Sequence, residues 1–134
     1  MKIKVLYIHN SLTTFVDIDR QILSSTFDVN ELEYKSKLDI FRVRLLFKGL
    51  RECDVVVGWF ASWHTFLPVI FARILKKKFI LIAGGYDTAY IPEANYGNQL
   101  KLISRLITNF TIRFANEIIC NSNFTKLETI RVAG

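Results

Sequence analysis

Apolar residues follow two rhythms along this chain. Short runs rich in Val, Ile, Leu and Phe occupy residues 2–8, 54–57, 79–83 and 117–120, with a weaker alternating run at 29–34. Runs of that length, bounded by polar and turn-forming residues, predict β-strands. Between them, apolar positions recur every three to four residues over 15–26, 40–51, 63–77 and 98–114, the spacing of one helix face. In the first helix Phe15, Ile18, Ile22 and Leu23 share a side, with Asp17, Asp19 and Arg20 elsewhere. In the fourth, Leu100, Ile103, Leu106, Ile107, Phe110 and Phe114 form a common stripe. A last helix is expected to start after Ser122 as its N-cap and to end near Gly134.

The predicted order is therefore βαβαβαβαβα. Strands that are apolar on both faces and joined by crossover-length helices call for a parallel sheet with both sides covered. The expected fold class is α/β: a Rossmann-like parallel sheet flanked by helices on both faces. At 134 residues the chain, 1–134, suits one domain with a real core. Residues 55–72 contain no Asp, Glu, Lys or Arg and approach the length of a membrane span. Gly58, Ser62, His64, Thr65 and Pro68 divide that stretch, so it reads as a strand, a turn and an amphipathic helix.

Composition adds a bias of charge. Lys and Arg total 18 against 12 for Asp and Glu, a net charge of +6 that suits an anionic partner such as phosphates or a lipid surface. No aromatic-rich RNA-recognition motif accompanies the basic helices, and nucleic acid is not the expected partner. Cys53 and Cys120 lack metal-ligand spacing and read as reduced core thiols. The first apolar run is too short for a secretory signal and reads as a strand, so a cytoplasmic location is expected.

Open α/β sheets collect ligands outside the carboxyl ends of their strands, near the point where strand order reverses. Those ends carry His9, Asn10, Ser11, Thr13 and Thr14 after the first strand, and Trp59, Ser62, Trp63 and His64 after the third. Gly84, Gly85, Tyr86 and Asp87 follow the fourth, and Asn121 and Ser122 the fifth. Aromatic faces over the C–H side of a sugar ring, with amide, imidazole and carboxylate groups on its hydroxyls, would divide the work of such an edge. Structural roles compete at each position. The glycine pair suits either a tight turn or close approach of a ligand. Asp87 suits a turn or a ligand hydroxyl, His64 a backbone contact at a helix start, and the tryptophans either core or platform. His9, directly after a strand, is better placed for chemistry.

Several signatures are missing. No Gly-x-Gly-x-x-Gly follows the first strand, and there is no Gly-x-x-x-x-Gly-Lys loop, Gly-x-Ser-x-Gly elbow, His-Glu-x-x-His or paired-cysteine zinc spacing. Dinucleotide, hydrolase and metalloenzyme readings therefore have nothing to rest on. Four segments in order, "FVDIDRQIL" (15–23), "DVVVGWFASWHTFLPVIFARIL" (54–75), "KKKFILIAGGYD" (76–87) and "ANEIICNSNFTK" (115–126), resemble the amino-terminal domain of family 4 glycosyltransferases with the GT-B fold. The resemblance covers nearly the whole chain. It implies an acceptor-binding half of a retaining enzyme, whose carboxyl-terminal domain or separate subunit grips a nucleotide sugar as co-substrate. It also implies that this chain alone binds no cofactor, needs no metal and is inactive, because the donor-binding region is not in it. Gly84-Gly85-Tyr86-Asp87 stands where the family usually has His-Gly-x-Asp, so the glycine and the aspartate carry over and the histidine does not. The first loop lacks the family's common glycine pair, and the catalytic residues stay unassigned. A non-catalytic Rossmann-like binding module is the alternative.

The helix expected over 40–51 has its own amphipathic pattern. Ile40, Val43, Leu46, Phe47 and Leu50 form a core stripe, while Arg44, Lys48 and Arg51 line a neighbouring face with Phe41 and Leu45 beside them. Basic residues flanked by spare apolar ones suit an anionic membrane surface. The expectation is a peripheral protein at the inner face of a membrane, acting on a sugar or a lipid-linked acceptor.

Overall fold

The computed structural model describes residues 2–133. Five parallel strands, β1 (Lys4–His9), β2 (Asp28–Glu33), β3 (Val55–Trp59), β4 (Lys78–Ala83) and β5 (Glu117–Cys120), form one sheet in the order β2-β1-β3-β4-β5. Five helices alternate with them: α1 (Thr14–Thr26), α2 (Val43–Glu52), α3 (Trp63–Ile74), α4 (Leu102–Phe114) and α5 (Asn123–Ala133). This is a Rossmann-like α/β fold of the doubly wound kind. Its strand order reverses between β1 and β3, which puts the ligand crevice at the carboxyl ends of those two strands. The segment 55–72 divides into β3, a turn and the start of α3, and no helix among the described residues is long and apolar enough to cross a membrane.

The two faces of the sheet are covered unequally. On one, Leu46 and Leu50 of α2, Val69 and Ala72 of α3 and Ile112 of α4 pack with Leu6, Val56, Phe79 and Leu81 of the strands. Leu46 and Leu50 are buried, each contributing about 2–3 kcal/mol of apolar transfer. On the other face, Val5, Tyr7, Val57, Trp59 and Ile82 pack with Val16 of α1, and Leu23 joins them half-buried. The Tyr7 hydroxyl, drawn into that layer, donates to the carbonyl of Val16 at 2.7 Å. Val132 of α5 belongs to the first layer, so among the described helices only α1 supplies this second layer.

Several expected boundaries and faces shift. Residues 37–41 form a separate 3-10 turn (Lys37–Phe41), so α2 begins at Val43 rather than at residue 40. Residues 84–101 form a long excursion with two further 3-10 turns before α4 begins at Leu102. Helix α1 buries Val16, not the expected stripe: Phe15, Ile18 and Ile22 are exposed. In α4 the buried face carries Thr108, Thr111 and Ile112, while Ile103 and Leu106 are exposed. Threonine is admitted there because its hydroxyl is satisfied by a carbonyl: Thr108 Oγ1 donates to Ala61 O at 2.8 Å and Thr111 Oγ1 to Ile107 O at 2.9 Å. The helix stop expected at Gly134 lies outside the described residues.

Both cysteines are free thiols. Cys53 is buried, and burial pushes its pKa up, as befits an inert core thiol; Cys120 is half-buried.

Candidate functional site

A cleft of about 250 Å³ opens on the carboxyl edge, lined by Asn10, Phe60, Ser62, His64, Tyr86, Asp87 and Asn98. Each lining segment follows a strand or starts a helix. Asn10 follows β1, Phe60 and Ser62 follow β3, His64 opens α3, and Tyr86 and Asp87 follow β4. Asn98 belongs to the excursion before α4 and returns to the same place because its N–H donates to Tyr86 O at 2.9 Å. Five residues expected on this edge, Asn10, Ser62, His64, Tyr86 and Asp87, are thus brought together.

Asp87 is a brace. It is buried, and its Oδ2 accepts the N–H of Ala61 at 2.9 Å while Oδ1 accepts that of Gly85 at 3.0 Å. Burial pushes its pKa up, and those backbone donors pull the other way. The carboxylate therefore ties the loop after β4 to the loop after β3, with one edge towards the cleft. Gln99 extends the brace: its buried amide donates to Asp87 O at 3.3 Å and to Asn109 Oδ1 at 3.0 Å.

The glycine pair has two separate causes. Gly85 adopts φ of 108°, which residues with a Cβ disfavour. Gly84 lies under the ring of Phe60, and a Cβ there would meet that ring head-on. Phe60 itself sits in the left-handed region at φ 67°, uncommon for a bulky side chain. Its N–H donates to Ile82 O at 2.9 Å and its carbonyl accepts Thr65 Oγ1 at 2.7 Å, bonds that hold the strained residue at the cleft wall.

The histidines are internal. His64 is buried, and its Nε2–H donates to Trp59 O at 2.5 Å. Burial lowers its pKa to about 4, so it is neutral at physiological pH, and Nδ1 has no partner among the described residues. His9 is equally buried, with Nε2–H donating to Glu31 Oε1 at 2.6 Å and Nδ1 3.8 Å from Glu33 Oε2. It lies under the edge, and it is not among the cleft-lining residues. Trp59 is also core: its indole N–H donates to Asp19 Oδ2 at 2.9 Å and so fixes α1 against the sheet.

Asn121 and Ser122 are exposed but engaged with the start of α5. Ser122 Oγ accepts the N–H of Thr125 at 3.1 Å, an N-cap as expected. Asn121 donates from Nδ2 to Gly84 O at 3.2 Å and accepts from Thr125 Oγ1 at 2.8 Å. These bonds link the β5 loop to the glycine pair.

What the cleft offers a ligand is polar and aromatic. Asn10, Ser62 and Asn98 supply amide and hydroxyl groups, and the half-exposed Tyr86 ring packs edge-on against Tyr96 at 4.9 Å between centroids. Tyr96, Asn98 and Phe60 were not candidates in the sequence. Tyr96 and Asn98 flank Gly97 at φ 115°, where a Cβ would strike Ala89 O, so that the excursion folds back on itself, and Phe60 is marked instead by Gly84, whose Cβ would meet its ring.

A second concavity, about 580 Å³ and mostly apolar, lies on the thinly covered sheet face. It is lined by Phe15, Ile22 and Leu23 of α1 and by Val57, Ile80, Ile82 and Ile119 of the sheet, with Trp59, Asp19 and Asn121 at its carboxyl end. Parallel sheets are ordinarily covered on both faces, and here Ile119 is 54% exposed.

Arg44, Lys48 and Arg51 line an outward surface of α2 together, far from the groove on the opposite sheet face.

No protein-family model matches the chain, and no curated protein matches it. Among solved structures it is similar to a 3-dehydroquinate dehydratase-like protein from Bifidobacterium longum. That likeness has 13% identity and a TM-score of 0.50, over 98% of this chain and 95% of the other. At such identity the likeness is one of fold.

Proposed function

We propose that this chain is the acceptor-binding half of a retaining glycosyltransferase, which passes a sugar from a nucleotide sugar to a sugar or lipid-linked acceptor. The observation that carries this reading is the cleft at the strand-order reversal, where Asn10, Ser62 and Asn98 face a ring-sized space beside Tyr86. Hydroxyls of a sugar ring pair with amide and hydroxyl groups, and its C–H face pairs with an aromatic ring. The order of the four resembling segments supports the same reading. In it, the nucleotide sugar is held by a donor-binding domain or subunit, the chain alone is inactive, and the work is done at the inner face of a membrane.

A titration of methyl glycosides of common hexoses, followed by backbone amide shifts, tests the cleft. The reading expects shifts concentrated at Asn10, Ser62, Tyr86 and Asn98 and lost in Tyr86→Ala. Shifts centred on another surface, or none at saturating concentration with any glycoside, would overturn it.

A second reading, a non-catalytic Rossmann-like binding module, draws on one specific observation. His9, His64 and Asp87, the titratable side chains expected at this edge, are buried and committed to internal partners. Sugar binding without transfer in any assembly would favour it.

A further inference from the structure

We propose that the 3-10 turn Lys37–Phe41 and the first turns of α2 form a knuckle that docks on an anionic lipid bilayer. Leu38 and Phe41 are the two most exposed large apolar side chains among the described residues, at 74% and 76%. Leu45, also exposed, follows Phe41 by four residues. The turn that presents them is built firmly: Asp39 Oδ2 accepts the N–H groups of Lys35 at 2.8 Å and Ser36 at 3.1 Å, and Arg42 Nη1 lies 3.7 Å from Oδ1. An exposed leucine and phenylalanine on a braced turn lose little freedom on insertion, which favours shallow burial in an interface.

Charge selects the partner. Residues 33–52 hold six basic and three acidic side chains, so half of the chain's net charge of +6 lies in this short segment. Two of the three acidic groups are already paired. Asp39 is used inside the turn, Glu33 lies 3.6 Å from Lys35 Nζ, and Glu52 sits at the far end of α2. Lys37, Arg44 and Lys48 are left on the turn and the first turns of α2 that carry Leu38, Phe41 and Leu45, Arg42 being paired with Asp39. Basic side chains bordering apolar ones complement anionic headgroups over acyl chains.

The fold also sets which edge approaches the lipid. Strand β2 ends at Glu33 with the other carboxyl ends, and Tyr34 N–H donates to His9 O at 2.9 Å. The Tyr34 ring packs edge-on against Trp63 at 6.4 Å between centroids, at the start of α3. The knuckle therefore stands on the carboxyl edge beside the loops that carry Asn10 and Ser62. Helix α2 runs back from that edge, so Arg51 lies about 10 Å below Arg44 at the rise of an α-helix and outside the knuckle. Lys37 is thereby added at the turn end of the basic row read from the sequence, and Arg51 stands at the far end of that row. Docking would bring the cleft to the headgroup layer, a consequence that rests on the acceptor reading; the docking itself does not.

Vesicles of phosphatidylcholine, with and without one-third phosphatidylglycerol, test this on the full chain at low salt. Sedimentation should show binding to the anionic vesicles at least tenfold tighter than to neutral ones. Replacing Lys37, Arg44 and Lys48 by Gln together should weaken it about a hundredfold, and Leu38→Ser with Phe41→Ser about tenfold. Arg51→Gln should change it less than twofold. The fluorescence added by Phe41→Trp should shift to the blue on anionic vesicles. Equal binding to both vesicle types, unchanged binding in the Gln or Ser variants, or an unmoved emission from the Phe41→Trp variant would overturn the proposal. Tighter, salt-sensitive binding to a single-stranded RNA than to anionic vesicles would assign the patch to nucleic acid and overturn it too. Loss of sugar binding with vesicle binding intact would count against the acceptor reading alone, and the converse against the knuckle alone.

Discussion

Asp87 Oδ2 accepts the backbone N–H of Ala61 at 2.9 Å, joining the loops after β4 and β3 across 26 residues of sequence. Its other oxygen accepts Gly85 N–H, so two buried donors depend on one side chain. Asp87→Ala should therefore destabilise the fold by about 2–4 kcal/mol, because both buried donors lose their partner. Urea unfolding of the variant checks this. A loss under 1 kcal/mol would mean that the loops are held by other contacts. In an active assembly the same substitution should weaken sugar transfer, acting through the shape of the cleft.

Gly84 and Gly97 make different demands on the same excursion. Gly84→Ala has to displace the Phe60 ring, and a loss of about 1–3 kcal/mol is expected, with altered fluorescence from Trp59, whose ring lies 4.9 Å from that of Phe60. Gly97→Ala has to move the backbone at Ala89 and leave φ 115°, so its cost should be the greater of the two. Thermal unfolding of both variants orders them, and the reverse order would contradict the placement of the excursion.

His64 gives a pH dependence of known sign. Its folded pKa is depressed from 6.5 to about 4, so its neutral form is favoured in the native state and its contribution is fully present above pH 6.5. That contribution is lost as pH falls towards 4, where the cost reaches on the order of 3 kcal/mol. His64→Gln can still donate an amide N–H to Trp59 O but does not titrate. The difference in urea stability between pH 7 and pH 4.5 should be larger for the native protein than for the variant. Parallel pH profiles would show that His64 is not the buried group that the geometry describes.

The thinly covered sheet face should bind a hydrophobic dye. Ile119 and Ile22 stand on opposite walls of the groove, so anilinonaphthalene sulfonate fluorescence should be strong and should fall in Ile22→Lys and in Ile119→Lys. Light scattering should show self-association of the isolated chain, reduced by the same changes. A strictly monomeric chain with no dye response would mean that the groove is closed in solution.

How much of this was legible before the structure depends on the range of the interaction. Strands β1, β3, β4 and β5 are apolar on both faces, and their runs alone predict a parallel sheet and locate its carboxyl edge. Helix faces were harder. The stripe of α1 follows the usual spacing, yet Phe15 and Ile22 border an open groove, and α4 turns threonines inward because their hydroxyls reach carbonyls. Within the site, residue type put His9, Trp59, His64 and Asp87 on the right edge but could not reveal that each is tied inward. Three of the partners are distant in sequence, Glu31 for His9, Asp19 for Trp59 and Ala61 for Asp87, while His64 meets the carbonyl of nearby Trp59. Tyr96 and Asn98 escaped notice because the path of residues 84–101 depends on Gly97 and Gln99, which no periodicity announces.

Sugar transfer itself decides whether this chain is an acceptor-binding half. The chain would be combined, in cis or as a separate subunit, with a donor-binding domain of a nucleotide-sugar-dependent enzyme, and labelled sugar followed from nucleotide sugar to sugar and lipid-linked acceptors. Transfer with retained anomeric configuration is expected only when both parts are present, unaffected by a chelator and reduced at least tenfold by Tyr86→Ala with the fold intact. Transfer that proceeds equally without this chain, or that is indifferent to Tyr86, would contradict that role.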